Sequence, residues 1–237
     1  MIFSPRRATW QRWRCLSTSQ YSLLRGLEYE QIDGLCLRGR TLDMGGGQRN
    51  SYYHLLKIEG TLESVNIDPS MKPTLLADLN APLPLATASY DNAISLNTFE
   101  HIRNDTLAIG ETVRVLKPGG QLHMIVPFLY RVHGSPSDYH RHTAFWWVDF
   151  LFASGLSSET LTVEPLMWDP LSSAFSLVEF QFGRLRGMLK RLIMLVSVLS
   201  HTRWPNSERL PDSHGQYYAE YALGYYIHGV KQQGQHR

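Results

Sequence analysis

The sequence predicts an α/β domain built on a parallel sheet with crossover helices. From Arg40 to about Val126 short apolar runs alternate with stretches of helical spacing, and glycine or acidic turns close several of those runs. Size agrees: 237 residues, 43% hydrophobic and 19% charged with a net charge of +2, suffice for one core without disulfides or a structural metal.

The N-terminal segment, residues 1–37, carries Arg6, Arg7, Arg12, Arg14 and Arg25 with no acid before Glu28. It reads either as a basic organellar leader or as a helical segment with a solvated basic face, packed through Trp10, Trp13, Leu16, Leu23, Leu24 and Leu27. The remainder, 38–237, is one domain. Its first run, Arg40–Met44, ends in Gly45, Gly46 and Gly47, and Tyr52, Tyr53, Leu55 and Leu56 follow at helical spacing. A second run, Leu62–Ile67, stops at Asp68-Pro69, because proline cannot continue a central strand. Leu75–Ala77 leads to Asp78, and Pro82 and Pro84 make an extended loop. Tyr90–Leu96 is a strand, Asp105–Leu116 a helix stopped by Lys117-Pro118-Gly119-Gly120, and Leu122–Phe128 a buried strand. Thr143–Ser154 is a helix with Thr143 as N-cap and Gly155 as breaker. Thr160–Val163 and Leu223–Val230 are late strands. Between them residues 171–204 form an apolar insertion with Arg184, Arg186, Lys190 and Arg191 along one helix side.

Composition excludes several classes. Two cysteines, Cys15 and Cys36, form neither a disulfide framework nor a ligand set and point to a reducing, cytoplasmic setting. No run reaches the ~20 apolar residues of a bilayer span. A charge near neutral argues against nucleic acid as the partner.

A glycine turn directly after a first strand brings backbone close to a ligand, so Gly45 and Gly47 mark a cofactor crevice. The dinucleotide fingerprint fails, since Asn50 stands where its third glycine belongs and Asp43 lies inside the strand. Asp68 ends the second run, where a carboxylate can accept from ribose hydroxyls, and Asp78 follows the third. Each has a plainer reading: a tight turn without ligand, a capping acid, ordinary turn chemistry. Asn97, Glu100 and His101 lie past the carboxyl end of a strand, where His101 is a substrate contact or general base, or else begins a surface helix.

These residues resemble the class I S-adenosylmethionine-dependent methyltransferases, of the small-molecule, type 11-like branch. Thr41-Leu-Asp43-Met-Gly45-Gly-Gly47 is similar to their glycine-rich first motif, Val65-Asn-Ile-Asp68 to the ribose-binding acid and Ala77-Asp78-Leu79-Asn80 to the adenine-binding segment. Tyr90 to His101 resembles the fourth strand, and Arg114 to Leu122 the turn into the fifth. The resemblance spans roughly residues 38 to 165. It implies a Rossmann-like, doubly wound, seven-stranded, mostly parallel sheet with a C-terminal antiparallel strand at 221–231 and a helical insertion. It also implies S-adenosylmethionine as cofactor, held by Asp43, Gly45, Gly47, Asp68, Asp78, Leu79 and Asn97, a small-molecule acceptor such as a sugar, and His101 or His140 as base. Arg49 departs from the family's small residue, and the competing reading is a non-catalytic binding or assembly protein of the same fold.

Residues 127–143 resemble the branch's substrate loop, with His140 and Arg141 facing a hydroxylated or anionic substrate. The spacing of His133, Asp138, His140 and His142 matches no familiar ligand pattern, so no metal is expected. Trp146, Trp147, Phe150 and Leu151 read as helix core. Residues 184–199 read as a peripheral membrane contact, or else as a lid or homodimer surface.

Overall fold

The computed structural model describes residues 1–134, 136–203 and 207–233. Its centre is a seven-stranded sheet in the order β3-β2-β1-β4-β5-β7-β6. The strands are β1 (Cys36–Met44), β2 (Lys57–Asn66), β3 (Leu75–Leu76), β4 (Tyr90–Leu96), β5 (Leu116–Pro127), β6 (Thr162–Leu166) and β7 (Gly224–Val230). β7 runs antiparallel to both its neighbours and the other six share one direction, as the resemblance implies. The order reverses between β1 and β4, and their carboxyl ends bound the crevice at that switch point.

Alternation along the central strands sorts side chains into two layers. Leu42, Met44, Ala93, Leu122 and Met124 face α3 (Asp105–Val115) and α4 (Ala144–Ala153), packing with Ile109, Val113, Trp147 and Leu151. Ile94, Leu96 and Ile125 face the opposite layer of α1 (Trp10–Thr18), α2 (Leu23–Ile32) and α6 (Arg186–His201), with Leu24, Leu27, Met194 and Val198. Thr143 caps α4 as the sequence predicts, its hydroxyl accepting from the Trp146 amide at 3.3 Å.

Three of the basic N-terminal side chains, Arg6, Arg12 and Arg25, are paired rather than only solvated. Arg6 meets Glu164 at 2.7 Å, Arg12 holds both oxygens of Glu30 at 2.7 Å, and Arg25 lies 3.1 Å from Glu28. Met1 and Phe3 exchange backbone hydrogen bonds with Val163, covering the free edge of β6.

Two local expectations are corrected, and one is extended. The helical spacing at 52–56 yields only a 3₁₀ turn, Tyr53–Leu55, because β2 already begins at Lys57 and leaves no room for a crossover helix. Lys117 to Gly120 does not precede a strand but forms the first part of β5, with Gly119 at φ +79° absorbing an irregularity. The insertion contains α5 (Pro170–Val178), a 3₁₀ stretch and α6, and a further helix, α7 (Asp212–Ala219), precedes β7. Residue 204, the insertion's expected end, lies outside the described residues. Among the described residues no helix is long and apolar enough to cross a membrane.

Candidate functional site

The glycine turn leaves β1 with no space for side chains. Gly45 has φ +85°, and a Cβ there would lie 2.2 Å from the Thr98 hydroxyl; one on Gly47 would lie 2.4 Å from the Met71 carbonyl. The turn is held from β2: the Asn66 side-chain amide donates to the carbonyls of Gly45 (2.7 Å) and Gly46 (3.2 Å).

Asp43 lies fully buried beneath this turn. Its Oδ2 accepts from the Tyr52 hydroxyl at 2.5 Å, the Tyr53 hydroxyl at 2.7 Å and the Asn50 amide at 3.3 Å. Burial pushes its carboxyl up to about 6, and those three donors act against that rise. Its Oδ1 is buried without a partner. The two tyrosines read as helix packing in the sequence; folded back from the 3₁₀ turn, they are instead the floor of the site.

Asp68 and Asp78 follow β2 and β3 and are exposed. Asp68 caps the turn Pro69–Met71, accepting from the Ser70 amide and hydroxyl at 2.8 Å each, which holds its carboxyl below the usual range; the exposed Arg49 adds to that lowering. Asp78 accepts from the Asn80 amide and side chain, both at 2.9 Å. Leu79 is buried in the core, so only its backbone borders the edge. Asn97 follows β4 at φ +51°, a left-handed conformation that asparagine tolerates better than most residues. Its Oδ1 is buried without a partner.

The N-terminal segment reaches this edge. Tyr29 of α2 bonds to the Ser51 hydroxyl at 2.8 Å, and the neighbouring Glu28 is buried beside Asn97, its carboxyl raised by burial and lowered in part by Arg25. Only the charge pattern hinted at this: Glu28 is the first acid after a basic run.

Past β4 the histidines fall into two groups. Glu100, His101 and His133 bring one ligand atom each to within 4.8 Å of one another, and so do Asp105, His140 and His142. Neither carboxylate oxygen of Glu100 has a hydrogen-bond partner, and burial raises this carboxyl to about 8. The loop is pinned over it by the Tyr139 amide, which donates to the Glu100 carbonyl at 2.8 Å. Asp138 pairs with Arg141 through two contacts of 2.5 and 2.6 Å and keeps its Oδ2 on His133, accepting from the His133 amide at 2.9 Å and lying 3.3 Å from its Nδ1. In the second group His142 lies 2.6 Å from Asp105 and stacks on Trp146 with ring centroids 3.5 Å apart, while His140 Nε2 lies 3.2 Å from the Arg103 carbonyl.

This sheet order and glycine-bearing switch point define the class I S-adenosylmethionine-dependent methyltransferase fold. Residues 42–124 match the family model described as a methyltransferase domain. No curated protein matches the sequence. Among solved structures, a complex from Haloferax volcanii of the Trm112 methyltransferase activator with a candidate methyltransferase is similar at TM-score 0.53 and 14% identity, covering 89% of each chain. A methyltransferase of Thermotoga maritima is similar at 0.52 and 15%, covering 94% of this chain and 95% of that one. Haemonchus contortus phosphoethanolamine N-methyltransferase 2, solved with S-adenosyl-L-methionine, is similar at 0.51 and 15%, with 94% of this chain covering 60% of that chain. At these identities the likeness is one of fold.

Proposed function

We propose that the chain transfers a methyl group from S-adenosylmethionine to a hydroxyl of a small molecule, a sugar or another hydroxylated metabolite. One observation carries the reading: Gly45–Gly47, Asp68, Asp78 and Asn97 follow the carboxyl ends of four strands in a sheet whose order reverses there. The donor set fits the cofactor. A side-chain-free turn admits close backbone approach, and the unpartnered oxygens of Asp43 and Asn97 offer acceptors to a cationic ligand. The Haemonchus neighbour solved with S-adenosyl-L-methionine supports the same cofactor.

When bound, the cofactor supplies a methyl group on a sulfonium sulfur, already activated for displacement. The protein's task is to align the acceptor and exclude water. Asp68 keeps lone pairs for ribose hydroxyls, and Asp78 with the Leu79 backbone borders the adenine end. In this reading His101 is the base: its Nδ1 lies 2.6 Å from the Ser137 carbonyl, which can only accept, so Nδ1 carries the hydrogen and Nε2 is left to take the hydroxyl proton. His140 Nε2 donates to a carbonyl instead, which makes it the weaker candidate. Calorimetric titration with S-adenosylmethionine tests the reading. Asp68→Ala is expected to weaken binding roughly ten-fold or more; wild-type protein that binds nothing at high micromolar cofactor refutes the reading, and binding without turnover on any hydroxylated acceptor favours the non-catalytic one.

A second feature supports a peripheral membrane contact through 184–199. Leu185, Met188, Leu192, Val196 and Leu199 recur at helical spacing, each more than half exposed. The cations contribute less than their spacing promised: Arg186, Lys190 and Arg191 donate to carbonyls of residues 17–21, and Lys190 is buried. The apolar stripe therefore carries this reading. Vesicle co-sedimentation lost on Leu192→Glu supports it, and a concentration-dependent dimer in its place assigns the stripe to a second copy.

A further inference from the structure

We propose that Glu100, His101 and His133 bind one divalent transition-metal ion. Three features of the geometry point to it. The donor set, two imidazoles and a carboxylate, is the set that leaves coordination positions open in catalytic zinc and non-haem iron sites. His101 Nε2 lies 3.5 Å from Glu100 Oε1, close to the edge of a tetrahedron drawn around an ion with bonds of about 2.1 Å. Glu100 is buried with both oxygens unpartnered, an arrangement that a protein interior tolerates poorly without a cation.

The surroundings orient both histidines as ligands. The Ser137 carbonyl, 2.6 Å from His101 Nδ1, leaves Nε2 unprotonated. His133 Nδ1 lies 3.3 Å from both the Arg131 carbonyl and Asp138 Oδ2, which likewise leaves its Nε2 for an ion. Asp138 is itself fixed by Arg141. Carboxylate–histidine pairs of this kind set the tautomer and ring angle of metal-bound imidazoles. The two rings stand edge to face with centroids 5.0 Å apart, so a small side-chain rotation closes the set. The Asp105, His140 and His142 group is closed already by the direct Asp105–His142 contact and by stacking on Trp146.

The role of the ion rests on the methyl-transfer reading; its binding does not. On the same edge as Asn97, an ion with open positions accepts an acceptor hydroxyl and lowers its pKa. The hydroxyl proton then passes to water, the oxygen forms the bond to the methyl carbon, and the electron pair of the broken carbon–sulfur bond stays on sulfur. His101 would serve as ligand in that state rather than as base.

The test uses the full chain freed of metal by dialysis against a chelator and titrated with Zn²⁺ alone in the presence of a chromophoric competitor. One equivalent is expected at low micromolar or tighter affinity, unaffected by millimolar Mg²⁺. Glu100→Gln and His133→Ala should each weaken it at least roughly ten-fold, and Asp105→Asn should retain it. Wild-type protein that takes up no Zn²⁺, or uptake that survives both Glu100→Gln and His133→Ala, overturns the site. Cofactor titration of the same folded variants keeps the two readings apart. Loss of Zn²⁺ with cofactor binding intact supports the site; Zn²⁺ uptake by a wild-type chain that binds no cofactor refutes the methyltransferase reading and leaves the metal site standing.

Discussion

The Tyr52 hydroxyl lies 2.5 Å from Oδ2 of Asp43, and this contact governs the electrostatics beneath the glycine turn. A carboxylate with no exposure survives there because two phenols and an amide donate to it. Tyr52→Phe removes one of those donors from a buried charge and should destabilise the fold by about 1–3 kcal/mol, read by urea denaturation at pH 7. Unchanged stability would show that Tyr53 and Asn50 suffice.

The same site sets a pH dependence. Asp43 titrates near 6 in the folded protein against 3.8 for the ordinary group, so the folded state holds its proton longer. Its contribution to stability is full below pH 3.8 and is lost as pH rises through 6, a change of about 3 kcal/mol. Asp43→Asn should flatten the stability profile across that window, measured as denaturant midpoints at a series of pH values.

His123 acts in the opposite sense. Burial, with His228 nearby, pushes its imidazole down to about 3, and Nδ1 lies 2.8 Å from the Tyr226 hydroxyl. The unfolded chain takes up this proton first, so stability present above pH 6.5 declines as pH falls towards 3. His123→Phe should reduce that acid sensitivity in thermal melts between pH 7 and 4.

Gly47→Ala tests the crevice without touching a charge. Its Cβ would meet backbone 2.4 Å away at Met71, so the turn must shift. Cofactor affinity should fall roughly ten-fold or more, in line with the effect of small misplacements at preorganised sites, while circular dichroism stays native.

Lys231 closes the far end of the sheet. Its ammonium donates to the carbonyls of Val113, Arg114 and Leu116, at 2.7, 3.1 and 2.7 Å, where α3 ends. Lys231→Met should destabilise by about 1–3 kcal/mol by leaving those carbonyls short of a donor, with the loss read in the melting temperature.

Much of this molecule was legible because local chemistry and final structure agree. Alternating runs ending in Gly45, Asp68, Asp78 and Asn97 gave strand ends, since turn residues and acids collect where strands stop, and Thr143 announced α4. Tyr52 and Tyr53 were misread because spacing alone cannot separate a helix from a loop whose aromatics fold back on a buried acid. The carboxyl-edge residues are near-neighbours in sequence or pattern. Glu28 is not: its place beside Asn97 depends on α2 lying across the edge of a sheet whose first strand has yet to begin.

By itself the sequence determined the class of fold, the glycine turn and the acids that follow the strands, because periodicity and turn preference act over a few residues. Only the tertiary structure decided that Asp43 is held by two tyrosines, that Lys190 is buried, and that Glu100 and His101 meet His133 from 32 residues beyond while Asp138 bridges His133 and Arg141. Those pairings are set by burial and by loop closure across the sheet edge, and spacing along the chain carries no record of either.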